Sequence, residues 1–247
     1  STDFGNEWRA MVNGLPQSSL NALTQHPRNP NLMFVGNEIG VYVSVNFGGQ
    51  WVRLENGLPT VPVDDIKIEP RENDLVIGTH GRGIWIMDDI TPLEELTPEA
   101  ITAEAHLFGI QPAVSYNRYT PQGWTPGIFS APNPPMGIRM RYHLAEDTDE
   151  VSLSITDLRG QSIRRLEGTG NAGLNEVIWD LRIQEENSGG DVMNSGPRVL
   201  PGTYLVHLEA GNSVLEGEFS VHLDPRVTIS QTVLLARHDA MISSYRL

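Results

Sequence analysis

Ser44-Val45-Asn46-Phe47-Gly48-Gly49-Gln50-Trp51 decides the reading of this chain, because an earlier stretch copies it: Ser1-Thr2-Asp3-Phe4-Gly5-Asn6-Glu7-Trp8. Both follow Ser-x-Asp/Asn-x-Gly-x-x-Trp, and Trp51 follows Trp8 by 43 residues. The echo continues at the same offset. Asn13-Gly14-Leu15-Pro16 returns as Asn56-Gly57-Leu58-Pro59, and His26-Pro27-Arg28 as Glu69-Pro70-Arg71. Four defined positions in register with two further blocks make this an internal repeat. Its period is that of one four-stranded unit of a radial β array.

The motif has a local logic. Ser and Asp/Asn oxygens accept hydrogen bonds from backbone N–H groups in a tight hairpin, and Gly supplies the positive φ that such a turn needs. Trp then opens the next strand. Short runs rich in Val, Ile, Leu and aromatics, bounded by Gly, Pro, Asn or Asp, predict strands over 20–25, 32–36, 40–44 and 51–54. A second set is predicted over 63–68, 74–78 and 83–87. Where the first unit has its motif, the second has Met87-Asp88-Asp89-Ile90-Thr91-Pro92, which predicts that the repeat array ends there. The first motif copy opens the chain, as the hairpin before a fourth strand whose three partners are absent. About two units are therefore expected, against roughly four to eight in a closed propeller. The expectation is the C-terminal part of a longer protein, with open strand edges that pack on another polypeptide or on a second copy.

Composition narrows the partners. The chain has 247 residues, a formal charge of −14, a single lysine (Lys67) and no cysteine. An acidic surface repels phosphates, so nucleic acid is not expected as a partner. Without cysteine there is no disulfide framework and no thiolate metal site. No membrane-length apolar run is visible.

Residues 1–92 read as the repeat units and 93–135 as a Pro- and Gly-rich linker lying on both domains. The linker includes a helical candidate over 98–105, with Trp124 and Phe129 as expected anchors. Within it, Ala105-His106-Leu107-Phe108 is expected to return as a strand completing the last repeat unit. From 136 to 225 strands recur at sandwich spacing, over 138–144, 151–156, 162–167, 175–179, 202–209 and 215–222. Residues 226–247 are predicted to be a helical tail. The fold class is thus all-β, with terminal propeller blades, an Ig-like sandwich and a short C-terminal helix.

The repeated octapeptide resembles the Asp-box of bacterial neuraminidase repeats, found in sialidases, xyloglucanase-type glycosidases and sortilin-type receptors. The resemblance implies that Ser1, Asp3, Gly5, Trp8, Ser44, Asn46, Gly48 and Trp51 form structural clasps between third and fourth strands, away from the ligand mouth. Gly173-Leu174-Asn175, Trp179-Asp180-Leu181-Arg182 and Leu200-Pro201-Gly202-Thr203-Tyr204 resemble the Ig-like domain of the flagellar hook-cap protein. With Gly78-Thr79-His80-Gly81-Arg82-Gly83-Ile84-Trp85-Ile86-Met87-Asp88-Asp89, the whole chain resembles the end of a sortilin-like, Asp-box propeller of bacterial secreted proteins. The implied location is secreted, periplasmic or cell-surface.

No His-Glu-x-x-His, Gly-x-Ser-x-Gly, P-loop or dinucleotide fingerprint is present. No cofactor, metal site or catalytic residue is predicted. Glycosidases need two carboxylates about 5–10 Å apart, and Glu38, Asp64-Asp65 and Asp88-Asp89 are candidates without a pairing by spacing. Loops opposite the boxes place Asn37, Glu38, His80 and Arg82 at the mouth as candidate ligand-binding residues, with the 56–62 loop beside them. Two functions follow: a non-catalytic extracellular module binding a protein or glycan at the mouth, or the C-terminal piece of a sialidase- or xyloglucanase-like glycoside hydrolase with its carboxylates on missing blades. The expected partners are the remaining blades and that ligand.

Overall fold

The computed structural model describes residues 4–55, 57–116, 135–184 and 196–245. Ser1 and Asp3 of the first box, Asn56, Trp124 and Phe129 lie outside the described residues. The protein is all-β with a C-terminal helix, and it divides into two compact units, Ser1–Pro98 and Glu99–Leu247.

In the first unit, β1 (Leu20–Gln25), β2 (Met33–Asn37), β3 (Gly40–Ser44) and β4 (Val52–Leu54) form an antiparallel meander. A second meander comprises β5 (Val63–Glu69), β6 (Asp74–Thr79) and β7 (Ile84–Met87). Alternate side chains point to opposite faces of a strand, so each sheet has a face toward its neighbour and a face away. Phe34, Val41 and Val43 of the first sheet meet Val63, Ile66, Leu75 and Ile77 of the second in one apolar cluster.

The sheets touch where Gly36 meets Val63. A Cβ on Gly36 would stand 2.6 Å from Val63 Cγ1, so only glycine permits this spacing. Farther along the same strands, the Thr24 hydroxyl donates to the Ile66 carbonyl at 2.5 Å. Gly36 pairs with Ala22, and Phe34 with Thr24. The contacts therefore advance together along β1 and β5, and these two strands run in the same direction.

At the far end of β1 and β5 a polar node locks the unit. The buried His26 ring accepts from the N–H groups of Arg28 (3.3 Å) and Asn29 (3.1 Å) through Nδ1. With Nδ1 an acceptor, Nε2 carries the proton and donates to Asn73 Oδ1 at 2.9 Å. Asn73 Nδ2 donates to Thr91 Oγ1 and Glu94 Oε2, both at 3.1 Å. Arg28 grips the Glu94 carboxylate with two nitrogens, at 3.1 and 2.9 Å. The repeat explains half of this node. Glu69, at the position of His26, accepts from the N–H groups of Arg71 (3.1 Å) and Glu72 (2.7 Å), the same turn with a different acceptor. A short helix, α1 (Thr91–Glu95), carries Thr91 and Glu94 into the node; the sequence reading had no helix there.

The second unit contains a sandwich-type core. One sheet has the order β13-β10-β8, from β8 (Ala105–Leu107), β10 (Ile138–Leu144) and β13 (Gly173–Trp179). The other has the order β12-β11-β14-β15-β9, from β9 (Ala113–Ser115), β11 (Val151–Asp157), β12 (Ser162–Glu167), β14 (Gly202–Ala210) and β15 (Ser213–Leu223). Trp179, fully buried, meets Phe219 and Tyr204 edge-on at 5.9 and 6.1 Å, and its Nε1 donates to the Arg182 carbonyl at 2.9 Å. The Tyr204 hydroxyl, pushed up to about 12 by burial, donates to the Leu200 carbonyl at 2.6 Å. This is a tyrosine anchor of the kind that pins sandwich corners.

One expectation for the 93–135 segment is corrected. The strand at 105–107 pairs with β10, not with the last sheet of the first unit. Its partner is fixed by packing, since Leu107 lies in the space that a Cβ on Gly217 would need. A further strand, β9, runs parallel to β15. The strands of this segment are thus built into the sandwich, while its first residues, Glu94 among them, belong to the first unit. The helix within it, α2 (Pro98–Thr102), straddles the division between units, and α3 (Gln231–Tyr245) ends the chain.

Arg28 holds the Glu94 carboxyl below the usual carboxylate range, against a smaller opposing effect of burial. A carboxylate with a lowered folded-state pKa adds stability that is present at neutral pH and lost as pH falls through that value. Glu94→Gln should lower the melting temperature of the protein at pH 7, and the gap from the parent should close as the pH is taken below about 4.5. Thermal melts of both proteins across that range would measure this; a gap independent of pH would mean that the Glu94 charge is not involved.

Candidate functional site

Order of connection gives the first unit two unlike ends. In a meander, the β2–β3 and β3–β4 connections lie at opposite ends. Since β1 and β5 run the same way, the β2–β3 and β6–β7 turns share one end, together with the loop entering β5.

The β3–β4 hairpin at the other end is the second motif copy. Asn46 Oδ1 accepts from the Ser44 hydroxyl and from the Gln50 N–H, each at 2.9 Å. Ser44 Oγ accepts from the Gly48 N–H at 2.9 Å. Phe47 and Gly48 take φ values of +55° and +73°. Phe4 and Gly5 in the first copy take +58° and +89°, so the two copies share their unusual backbone as well as their letters. Trp51, 4 % exposed, donates from Nε1 to the Met11 carbonyl at 2.9 Å. Trp8, at the matching place of the first copy, is instead 82 % exposed. The difference has a local cause: Met11 and Leu15 pack beside Trp51, and the described residues place no equivalent segment over Trp8.

At the opposite end, Asn37 is the last residue of β2 and is fully buried. Its Oδ1 accepts from the Ile39 N–H at 2.9 Å, closing the turn, while Nδ2 has no partner among the described residues. Glu38 is exposed and accepts from Asn21 Nδ2 at 3.1 Å. Arg53 crosses beneath, donating to the Ile39 carbonyl at 3.1 Å and to Thr60 Oγ1 at 2.8 Å.

The β6–β7 turn is held at its base, where the Thr79 hydroxyl and N–H both donate to the Gly83 carbonyl, at 2.7 and 3.1 Å. Gly81 and Gly83 both have positive φ and face open space. They present His80 and Arg82 outward. His80 Nδ1 lies 3.3 Å from Asp64 Oδ2, both side chains exposed. The Arg82 carbonyl accepts from Trp85 Nε1 at 3.2 Å, while its exposed guanidinium makes no hydrogen bond or ion pair among the described residues.

The four candidate residues therefore fall at one end of the unit, as two clusters: Asn37 and Glu38 with Asn21, and His80 with Asp64, beside Arg82. Of the carboxylates considered for hydrolysis, Glu38, Asp64 and Asp65 belong to this end. Asp88 and Asp89 follow β7 at the other, where Asp89 Oδ1 accepts from the Thr91 hydroxyl at 2.5 Å. Sequence reasoning missed Asn21, Arg53 and Asp64 as supports of the site. Asn21 and Asp64 follow from strand register alone once β1 and β5 are known to be parallel. Among the described residues, no group of three or more His, Asp and Glu side chains is placed to hold a metal ion, and no described helix is long and apolar enough to cross a membrane.

No protein-family model matches this sequence, and neither does any curated protein. Among solved structures, the chain is similar to the extracellular domain of a putative hybrid two-component system from B. thetaiotaomicron, at 10 % identity and TM-score 0.25. That match covers 86 % of this chain and 26 % of the other. It is also similar to trypsin-activated alpha-2-macroglobulin from Escherichia coli, at 11 % identity and TM-score 0.27, over 81 % of this chain and 13 % of that one. The chain thus spans about a quarter or less of either structure.

Asn46 accepts two of the hydrogen bonds that hold the hairpin. Asn46→Ala should lower stability by about 1 kcal/mol, measured by denaturant unfolding. A variant as stable as the parent would remove the hairpin from the elements that hold the first sheet.

Proposed function

We propose that the first unit is the terminal pair of blades of an Asp-box propeller in a secreted or cell-surface protein, and that it binds a protein or glycan through the end opposite its box hairpin. The observation that carries the binding reading is Arg82. A guanidinium flanked by two glycines of positive φ, exposed and without an acid partner among the described residues, is a fork available to a carboxylate or to sugar hydroxyls. Surface arginines in an acidic chain are commonly neutralised by a neighbour; this one stands clear. The shared backbone of the two motif copies supports the Asp-box assignment.

The module acts by binding and not by hydrolysis. Glu38 is engaged by Asn21, and Asp64 lies by an exposed histidine. Neither carboxyl is buried, as a neutral general acid would need to be. In this reading His80 and Glu38 flank the ligand, and the second unit serves as spacer or adaptor.

Arg82→Ala should abolish or strongly weaken ligand capture on arrays of neutral and acidic glycans, with the melting temperature unchanged because the side chain is exposed and makes no hydrogen bond or ion pair among the described residues. Asn46→Ala, measured in parallel, should lose stability and keep its binding. Binding that survives Arg82→Ala while disappearing in a folded Asn46→Ala protein would move the site to the hairpin end.

A further inference from the structure

The stretch Trp179-Asp180-Leu181-Arg182, which marks the sandwich in the sequence, also sets a charge arrangement that packing of the core does not require. After β13 the chain turns at Leu181, whose φ is +64°, and then runs antiparallel to the segment around Arg198. The Ile183 N–H donates to the Pro197 carbonyl at 3.0 Å, and the Val199 N–H to the Leu181 carbonyl at 2.8 Å. These bonds flank the bridge between Arg182 and Arg198. The two arginines are therefore a non-hydrogen-bonded pair, the closer kind, with Cα atoms about 4.5 Å apart. Leu181 and Val199 are buried in the core, and Ile183 packs against it. Side chains alternate between faces, so Arg182 and Arg198 stand together on the other face, both half-buried.

Like charges directly opposite each other on paired strands repel. Here the guanidinium groups are oriented without being neutralised. Arg182 Nη1 donates to the Gly196 carbonyl at 3.0 Å, and Arg198 Nη1 to the Tyr116 carbonyl at 2.7 Å. Arg198 Nη2 donates to the Met136 sulfur at 3.7 Å. Asp180 Oδ2 lies 3.8 Å from Arg182 Nε, and no carboxylate among the described residues pairs with Arg198. Burial first, and then the Arg182 charge, hold the Arg198 guanidinium below its ordinary value, against the opposing pull of Asp180 and Tyr116. Arg182 Nη2 and Arg198 Nε make no hydrogen bond among the described residues, so each arginine keeps an N–H donor in hand.

We propose that Arg182 and Arg198 form a binding site for an oxyanion, in the second unit and independent of Arg82. Their two positive charges, less the one that Asp180 offsets, leave a single charge to balance. The matching ligand group is a carboxylate or a sulfate monoester, whose oxygens can accept from two guanidinium groups at once. Lysine would supply the charge without the fixed fork.

Calorimetric titration of the whole chain with glucuronate, glucose 6-sulfate and glucose tests this, because the three share a ring and differ in the charged group. Saturable binding of either charged sugar, with none of glucose, is the expected result, and the sugar that binds identifies the group. Arg182→Met and Arg198→Met should each weaken that binding by about tenfold or more. Arg82→Ala should bind as the parent does, which separates this site from the one proposed on the first unit. Circular dichroism and thermal melts would verify folding; should either methionine variant fail to fold, Arg198→Lys, which keeps the charge, should still show weakened binding. Absence of saturable binding overturns the proposal, as does binding that survives in the folded variants. Binding lost in Arg82→Ala but kept in Arg182→Met and Arg198→Met overturns it too, and assigns the acidic group to the first unit.

Discussion

Gly36 is the point on which the first unit turns. Its missing Cβ lets the second sheet approach until Val63 lies against the backbone of β2, and with the Thr24 to Ile66 contact farther along it sets β5 in the direction of β1. Everything assigned to one end or the other follows from it. If β5 ran antiparallel to β1, the β6–β7 turn carrying Arg82 would sit with the box hairpin, and Asn37 and His80 would fall at opposite ends. The shared direction of β1 and β5 sets which residues share an end, while the polar node around His26 and Glu94 fixes the sheets at their other extremity.

The node and the hairpin show two ways of holding backbone at a turn in an acidic chain. The hairpin uses neutral acceptors, Ser44 and Asn46, so its hydrogen bonds are indifferent to pH in the physiological range. The node uses an ionised carboxylate in a forked contact with Arg28, and a histidine whose unprotonated Nδ1 receives two backbone N–H groups. A similar economy holds in the sandwich, where the Asp224 carboxyl, gripped by Arg226 two residues on, is pushed down to about 2.

All seven strands of the first unit and the six main strands of the sandwich were legible, because each is a short β-branched run with sharp turn residues at both ends. That Asn37 and Glu38 lie opposite the box hairpin was legible too, since order of connection in a meander decides it, whereas the placing of His80 and Arg82 beside them depends on the shared direction of β1 and β5. What could not be read depends on meetings between distant residues. Asn73 is an ordinary turn residue in the sequence, and only the fold brings it to His26, 47 positions away. The strand at 105–107 looks alike whether it pairs with β7 or with β10; the Gly217 notch, over a hundred positions downstream, selects β10. Trp8 matched Trp51 letter for letter, but burial depends on what lies above a side chain, and only Trp51 has Met11 and Leu15 beside it.

The parallel pairing of β9 with β15 has a kinetic side. Ala113 meets Val221 roughly a hundred residues on, so this contact joins the beginning of the sandwich to its last strand. The antiparallel neighbours β14 and β15 are joined by a tight turn at Gly211 and can zip locally. The β9 contact must instead wait until the intervening chain has collapsed, since closing so long a loop costs entropy before any contact rewards it. The second unit should thus acquire β9 late in folding. On a ribosome β9 would emerge about a hundred residues before its partner and stay unpaired until residue 223 has emerged, with β14 as the open edge of the sheet until β15 follows.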